Sequence, residues 1–401
     1  MKASETSERY AGKLRECCNY AARSAKNFAA GENNKSRQAC GKDEKVLAET
    51  LKKDLSSFCD SVSEDTFSVN QKAYIFSNLL IFIFMLLSAA AAICSFFIDD
   101  MLLIVATVFS VLSLLAFSGV FGGTSKNVEG INIFAARAPE KDVKHRIILE
   151  ANLDAPFKRA LSPKTSAILK MINFFSIIIY IIFDIVELLI TYNKISFGGS
   201  DVFVYISFPL AIFAFIPLFI ARSVNASASF PGVVDNLVGC YTACGALRYM
   251  SEMDLRLKNT ELCVLLTGAK NADLKGAKEY CRLHKEADKA VDTVILSIDT
   301  VFNAETLAVV SKSGKATDLV AKASENAGVN ISSTVPKKII KTGSGRIFKK
   351  NHIPCATLTT LGETVPEYLG TAKDTEENIN VKAIEAVMKI TLEAAYAKDS
   401  E

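Results

Sequence analysis

Apolar and polar positions along this chain fall into three regimes. In the first 72 residues, apolar side chains recur at helical spacing among many charges. Tyr10, Leu14, Cys17 and Ala21 predict a solvated amphipathic helix over residues 1–30, and Val46, Leu47, Leu51 and Leu55 predict a second over 45–58. A polar break at Gly31–Ser36 separates them, and Thr66–Val69 predicts a short strand.

Apolar residues then become continuous. Ala73–Phe97 and Met101–Phe121 are parted only by Ile98, Asp99 and Asp100, and Ile168–Tyr192 and Val202–Ala221 form a second pair. Each run holds about 20 residues, enough to cross a bilayer core of about 30 Å. Residues 222–401 return to soluble patterning in which strand-like and helix-like segments alternate, the signature of an α/β fold.

The stretch between the two apolar pairs also carries strand patterns, Asn127–Ala135 and Arg146–Ala151. With both pairs removed on paper, the helix at 45–58, these strands and a helix at 235–250 run on as one domain. Such insertions need only that their ends lie close together. The expected organisation is an N-terminal helical segment (1–38), an α/β domain built from 39–72, 124–166 and 222–401, and two transmembrane hairpins (73–121 and 167–221), four spans in all.

Basic residues set the expected orientation. Lys126, Arg137, Lys141, Lys144, Arg146, Lys158, Arg159 and Lys164 fill the middle linker, and Arg222 follows the last span. The loop at 98–100 has none, and 193–201 has only Lys194. Both termini and the soluble domain are therefore expected on the cytoplasmic side of the cell membrane, with lipid as a partner. The polar start is expected to carry no secretory signal.

Composition changes this picture little. Half the residues are hydrophobic and 22% charged, a mixture of greasy segments in ordinary soluble sequence. A formal charge of +3 implies no polyanion, so no nucleic-acid partner is expected. Ten scattered Cys without a CxxC, and three His, argue against a Cys/His zinc module and suit a reducing compartment.

Candidate chemistry centres on Phe230–Met250, where a turn at Pro231-Gly232 leads through Asp235-Asn236 into a helix of small apolar residues. An acid at the mouth of such a helix can bridge metals or cap the helix. Cys240 and Cys244, one turn apart, can bind a soft metal or simply pack. His145, His284 and His352 read as surface or edge residues, His284 on a solvated helix face. No Gly-x-Ser-x-Gly elbow is present, and Gly343–Arg346 reads as a turn, lacking the phosphate-loop spacing. Lys337, Lys338, Lys341, Arg346, Lys349 and Lys350 read as a solvated basic face or a contact for anionic lipid. Within the third span, Asp184 and Glu187 share a helix face, either snorkelling to the interface or turned into the bundle.

Read in this spliced order, the chain resembles the two-zinc exopeptidases of peptidase family M28, over about 40–72, 124–162 and 223–396. Ile147–Asp154 is similar to the strand that ends in the family's His-x-Asp, and Pro231–Asn236 to the segment with its bridging Asp. Leu262–Tyr280 is similar to the strand and turn with the Glu-Glu pair, and Thr293–Thr300 to the strand ending in an Asp ligand. Ile353–Thr360 and Gly370–Thr375 are similar to the segment with the last His. The resemblance implies a mixed sheet flanked by helices.

It also implies a site whose key residues are changed. The first His ligand falls on Asn152, while the acid that orients that His is kept as Asp154. The bridging acid is kept as Asp235. The general base falls on Lys270, its neighbouring Glu ligand on Asn271, and the next Asp ligand is kept as Asp299. The last His falls on Gly370. A catalytic zinc wants three protein ligands and an open position, which these residues do not supply. No residue of the base's kind remains to take a proton from water, and Lys270 between two acids should stay charged. Lys270 is expected either to balance Asp235 and Asp299 or simply to point to solvent, with no metal and no other cofactor.

The expected function is that of a membrane-bound pseudopeptidase that holds a peptide, a chain terminus or a protein in the old cleft. Its rivals are a live metalloaminopeptidase using zinc through substitute ligands, and a small transporter or receptor with a regulatory cytoplasmic domain.

Overall fold

The computed structural model describes residues 8–32, 37–121, 127–161, 163–192, 206, 209–310, 314–332, 343–362 and 365–401. The chain divides into two compact units. One gathers Met1–Val69, Val128–Phe157 and Ser227–Glu401; the other gathers Asn70–Asn127 and Lys158–Ala226.

The first unit is built on a mixed sheet. Its strands are β1 (Ser61–Val69), β2 (Val128–Arg137), β3 (His145–Asn152), β6 (Thr260–Thr267), β7 (Asp292–Asp299), β8 (Ala308–Val310) and β9 (Cys355–Thr359). They lie in the order β1-β2-β6-β3-β7-β9-β8. β3 runs parallel to both β6 and β7, and β7 to β9, while β1–β2, β2–β6 and β8–β9 are antiparallel. β4 (Phe157–Arg159) and β5 (Val224–Ser229) pair as a separate ribbon.

The central strands bury both faces, so they read as continuous apolar runs. Ile147, Leu149, Val264, Leu266, Val294 and Leu296 enter one core. Their neighbours Ile148, Cys263, Leu265 and Ile295 enter the other, as the alternation of a strand requires. β1 is polar and largely exposed, in keeping with an edge strand.

The first face is covered by α1 (Glu8–Ala30), α2 (Lys42–Ser56), α7 (Val238–Glu252), α9 (Lys315–Ala327) and α11 (Val381–Asp399). The second is covered by α8 (Lys275–Ala290) and α10 (Gly345–Lys350). The sequence reading of α1 as a solvated helix is corrected here. Leu14, Cys17, Cys18, Ala21 and Ala25 are buried against α7 and α11, because their stripe meets two helices that no local pattern announces.

The second unit holds α3 (Ala73–Ser95), α4 (Leu102–Phe117), α5 (Pro163–Thr191) and α6 (Phe215–Arg222). Ala73–Ser95 and Thr165–Thr191 are long and apolar enough to cross a membrane, while Leu102–Phe117 and Pro209–Arg222 are shorter apolar helices. Residues 202–205 and 207–208 of the fourth expected span lie outside the described residues. The unit buries an apolar cluster that includes Ile81, Met85 and Ile177, yet it also exposes many apolar side chains and buries polar ones. Ile83, Leu87, Val108, Ile179, Ile182 and Phe219 are exposed, whereas Ser88, Ser110, Ser113, Asn173, Asp184 and Glu187 are buried. Asp184 and Glu187 therefore do not snorkel; they face the interior.

Candidate functional site

Because β3, β6 and β7 run parallel, their carboxyl ends open at one edge, the usual location of sites in open α/β sheets. β3 ends at Asn152, β7 ends at Asp299, and β6 leads into the turn that carries Lys270. The ammonium of Lys270 lies 2.9 Å from Asp299 Oδ2, 3.0 Å from Asn152 Oδ1 and 3.6 Å from Asp235 Oδ1. Burial works against this ammonium, but the charges of Asp299 and Asp235 outweigh it and hold the amine above its ordinary range.

Asp235 arrives by an irregular route. Gly232 has φ +59°, and a Cβ there would lie 2.7 Å from both Ala155 Cβ and the Asp235 carbonyl, so glycine is required. A wide turn over Val233–Leu237 follows, with a cis peptide between Asp235 and Asn236, before α7 begins. Asp235 thus precedes the regular helix, with its carboxylate turned to Lys270.

Amides lock this arrangement. Asn152 donates through Nδ2 to the Asp154 carbonyl at 2.7 Å, which leaves its Oδ1 for Lys270 and for Asn236 Nδ2. Asn236 also donates to the Ile298 carbonyl at 2.6 Å and accepts from Thr300 N–H. Asp154 Oδ1 accepts from the Lys270 backbone at 2.8 Å. Its Oδ2 accepts from the Asn271 backbone and side chain at 2.7 and 2.9 Å. Asp154 therefore pins the 270–271 turn, and Asn271 is engaged with Asp154.

Gly370 lies in the turn Tyr368–Thr371 with φ +69° and contributes no side-chain group. Four residues on, Asp374 takes up the contact: its carboxyl accepts from the backbone of Val234 at 2.8 Å and of Asp235 at 3.4 Å. Burial pushes Asp374 up to about 7.

Sequence reasoning missed three further buried charges. Arg37 donates to the carbonyls of Leu153, Pro231 and Gly232, at 2.7, 3.2 and 2.7 Å. Glu44 accepts from the backbone of Ala269 at 2.9 Å and of Cys40, and burial pushes it up to about 8. Glu150 accepts from Thr267 and Ser297, and burial pushes it upward too. A signal existed for Glu150, a lone acid within an apolar strand. None existed for Arg37, which follows a polar break.

Other candidates resolve as packing. Cys240 is buried and donates to the Asn152 carbonyl, and Cys244 is buried beside it. His284 is one-third exposed but not merely solvated: it stacks on Tyr280 at 4.8 Å and bonds Asp65 at 2.6 Å, because β1 and β2 lie beneath α8. His145 contacts Asp292. Gly343 and Ser344 form the turn into α10, on which Arg346, Lys349 and Lys350 are exposed. Lys337, Lys338 and Lys341 lie outside the described residues.

The donor set does not suit zinc. Two carboxylates and an amide oxygen surround an ammonium that repels an incoming cation, and no imidazole or thiolate joins them. Among the described residues, no group of three His, Cys, Asp or Glu converges to hold a metal.

Residues 222–395 match the model of Peptidase family M28. Among solved structures, the chain is similar to a glutaminyl cyclase from Fimbriiglobus ruber, at 10% identity and TM-score 0.56, covering 94% of this chain and 94% of that one. It is similar to the zinc aminopeptidase of Bacillus subtilis, at 12% identity and TM-score 0.55, covering 95% and 94%. An aminopeptidase from Aneurinibacillus sp. strain AM-1 aligns at 13% identity and TM-score 0.53, covering 97% and 93%. At such identities the shared property is the fold. No curated protein matches the sequence.

Proposed function

We propose, from the match of residues 222–395 to the model of Peptidase family M28, that the chain is a membrane-anchored pseudopeptidase whose cleft binds rather than cleaves. The observation that carries this reading is the Lys270 ammonium, 2.9 Å from Asp299 and 3.6 Å from Asp235. A positively charged side chain held by two acids takes no proton from an attacking water. The fold itself hosts more than one activity, since its neighbours include a cyclase as well as aminopeptidases.

Asp235 is the more open of the two acids, with 23% of its side chain exposed. It is the group that would receive the amino terminus or a basic side chain of a peptide or protein ligand. The apolar exterior of the helical unit supports four spans in lipid, with the short loops outside and the peptidase-like domain in the cytoplasm. Lipid and a peptide or protein are the partners, and no cofactor is needed.

The test uses the full-length protein purified in detergent, assayed against aminoacyl nitroanilides with and without added zinc or cobalt, alongside metal analysis. No hydrolysis and substoichiometric metal are expected. Release of nitroaniline that disappears in Asp235→Asn would instead establish the metalloaminopeptidase. For topology, a cysteine placed at Asp99 should react with an impermeant reagent added outside intact cells.

A further inference from the structure

Among the buried polar groups spread along the helical unit, two acids stand out on α5, Asp184 and Glu187. On α3, Ile81, Met85, Ser88 and Ala92 are buried; on α4, Ala106, Ser110 and Ser113; on α5, Ile177, Tyr180, Asp184 and Glu187. Ser88 donates to Asp184 Oδ2 at 2.8 Å, and Ser110 of α4 lies beside the same carboxyl with its hydroxyl donated to the Thr107 carbonyl at 2.9 Å. Three helices thus present oxygen to one place.

Glu187 follows Asp184 by three residues, on the same helix face. It is 2% exposed, and neither carboxyl oxygen has a hydrogen-bond partner among the described residues. Every described Lys and Arg of this unit is exposed, so no buried cation answers the two acids. An unpaired acid in such surroundings is costly, and an ion is one standard reason for its retention.

We infer that Ser88, Ser110, Asp184 and Glu187 form a binding site for a hard divalent cation of the calcium class. The donors are all oxygens, which suits a hard ion and not a thiolate- or imidazole-seeking one. Two carboxylates match a charge of two. With both hydroxyls they offer up to about six oxygens, the lower end of the coordination range of calcium. The site is separate from the Lys270 cleft and stands whether or not that cleft is catalytic.

The experiment titrates calcium chloride into EDTA-stripped, full-length protein in detergent, followed by calorimetry. One saturable site is expected. Glu187→Gln and Asp184→Asn should each weaken it at least about tenfold, while Glu286→Gln on the surface of the other unit leaves it unchanged. Calcium binding that is absent, or equal in both variants and the parent, overturns the inference. A variant that misfolds does not protect it, because native mass spectrometry of the unaltered chain must also show one calcium adduct that EDTA removes. Its absence there is equally fatal.

Discussion

Lys270 Nζ meets Asp299 Oδ2 at 2.9 Å by reaching over the end of β3, the strand that separates β6 from β7. The contact ties three neighbouring strand ends together, since Asn152 at the end of β3 accepts from the same ammonium. An ammonium thus sits at the place where the family resemblance expects cations.

Removing that ammonium should be costly. Lys270→Met leaves Asp299 and Asp235 facing each other without a counterion, and loss of one partner of a buried pair typically costs about 3–5 kcal/mol. The double variant with Asp299→Asn should recover a good part of this. Urea denaturation followed by circular dichroism measures both, and a single variant as stable as the parent refutes the pairing.

Stability should fall with rising pH through Asp374. Its proton is held more tightly in the folded chain, with a value of about 7 against the usual 3.8. The contribution is full below about pH 4 and lost as pH rises through about 7, with a size on the order of 4 kcal/mol. Glu44, pushed up to about 8, acts in the same direction. Asp374→Asn should therefore flatten, without abolishing, the slope between pH 4 and 7. Parallel slopes in parent and variant would count against the assignment.

Gly239→Ala should disturb the site from behind. A Cβ there would stand 2.2 Å from Asn236 Oδ1, and Asn236 holds both the Ile298 carbonyl and Thr300 N–H. A loss of about 2–4 kcal/mol is expected from overpacking and broken amide bonds. Thermal unfolding of the variant provides the measurement.

The peptidase-like unit should fold without its inserts. Val69 and Val128 are paired across β1 and β2, so an Asn-Gly turn can replace residues 70–127. Phe230 N–H bonds the Pro156 carbonyl at 2.9 Å, so a short linker can replace 158–226. The excised protein should be monomeric and melt cooperatively in buffer without detergent; aggregation under those conditions would show that the unit depends on its helices.

Much of this was legible before any coordinates. Continuous apolar runs marked the central strands, and the placing of Asp299 and Lys270 at or just past strand ends and of Asp235 at the mouth of a helix followed from the order of the matched segments. What stayed hidden has a common physical cause. Arg37, Glu44 and Asp374 are charged residues whose partners are backbone groups distant in sequence, and a buried charge of that kind is written no differently from a solvated one. The same holds for α1 and for His284: periodicity defines an apolar face, or places a ring, without naming what will cover it.

The pairing of Val69 with Val128 also imposes a timetable. A nascent chain exposes β1 first and must finish Asn70–Asn127 before the partner strand exists. Through that interval the outermost strand carries open rows of amide and carbonyl groups, which invite a stranger's strand. Glu64, exposed on β1, and Asp65 beside it make the waiting segment a poor template for aggregation. The acids that bond Lys52 and His284 in the finished sheet would thus also discourage a stranger's strand while the polypeptide is being made.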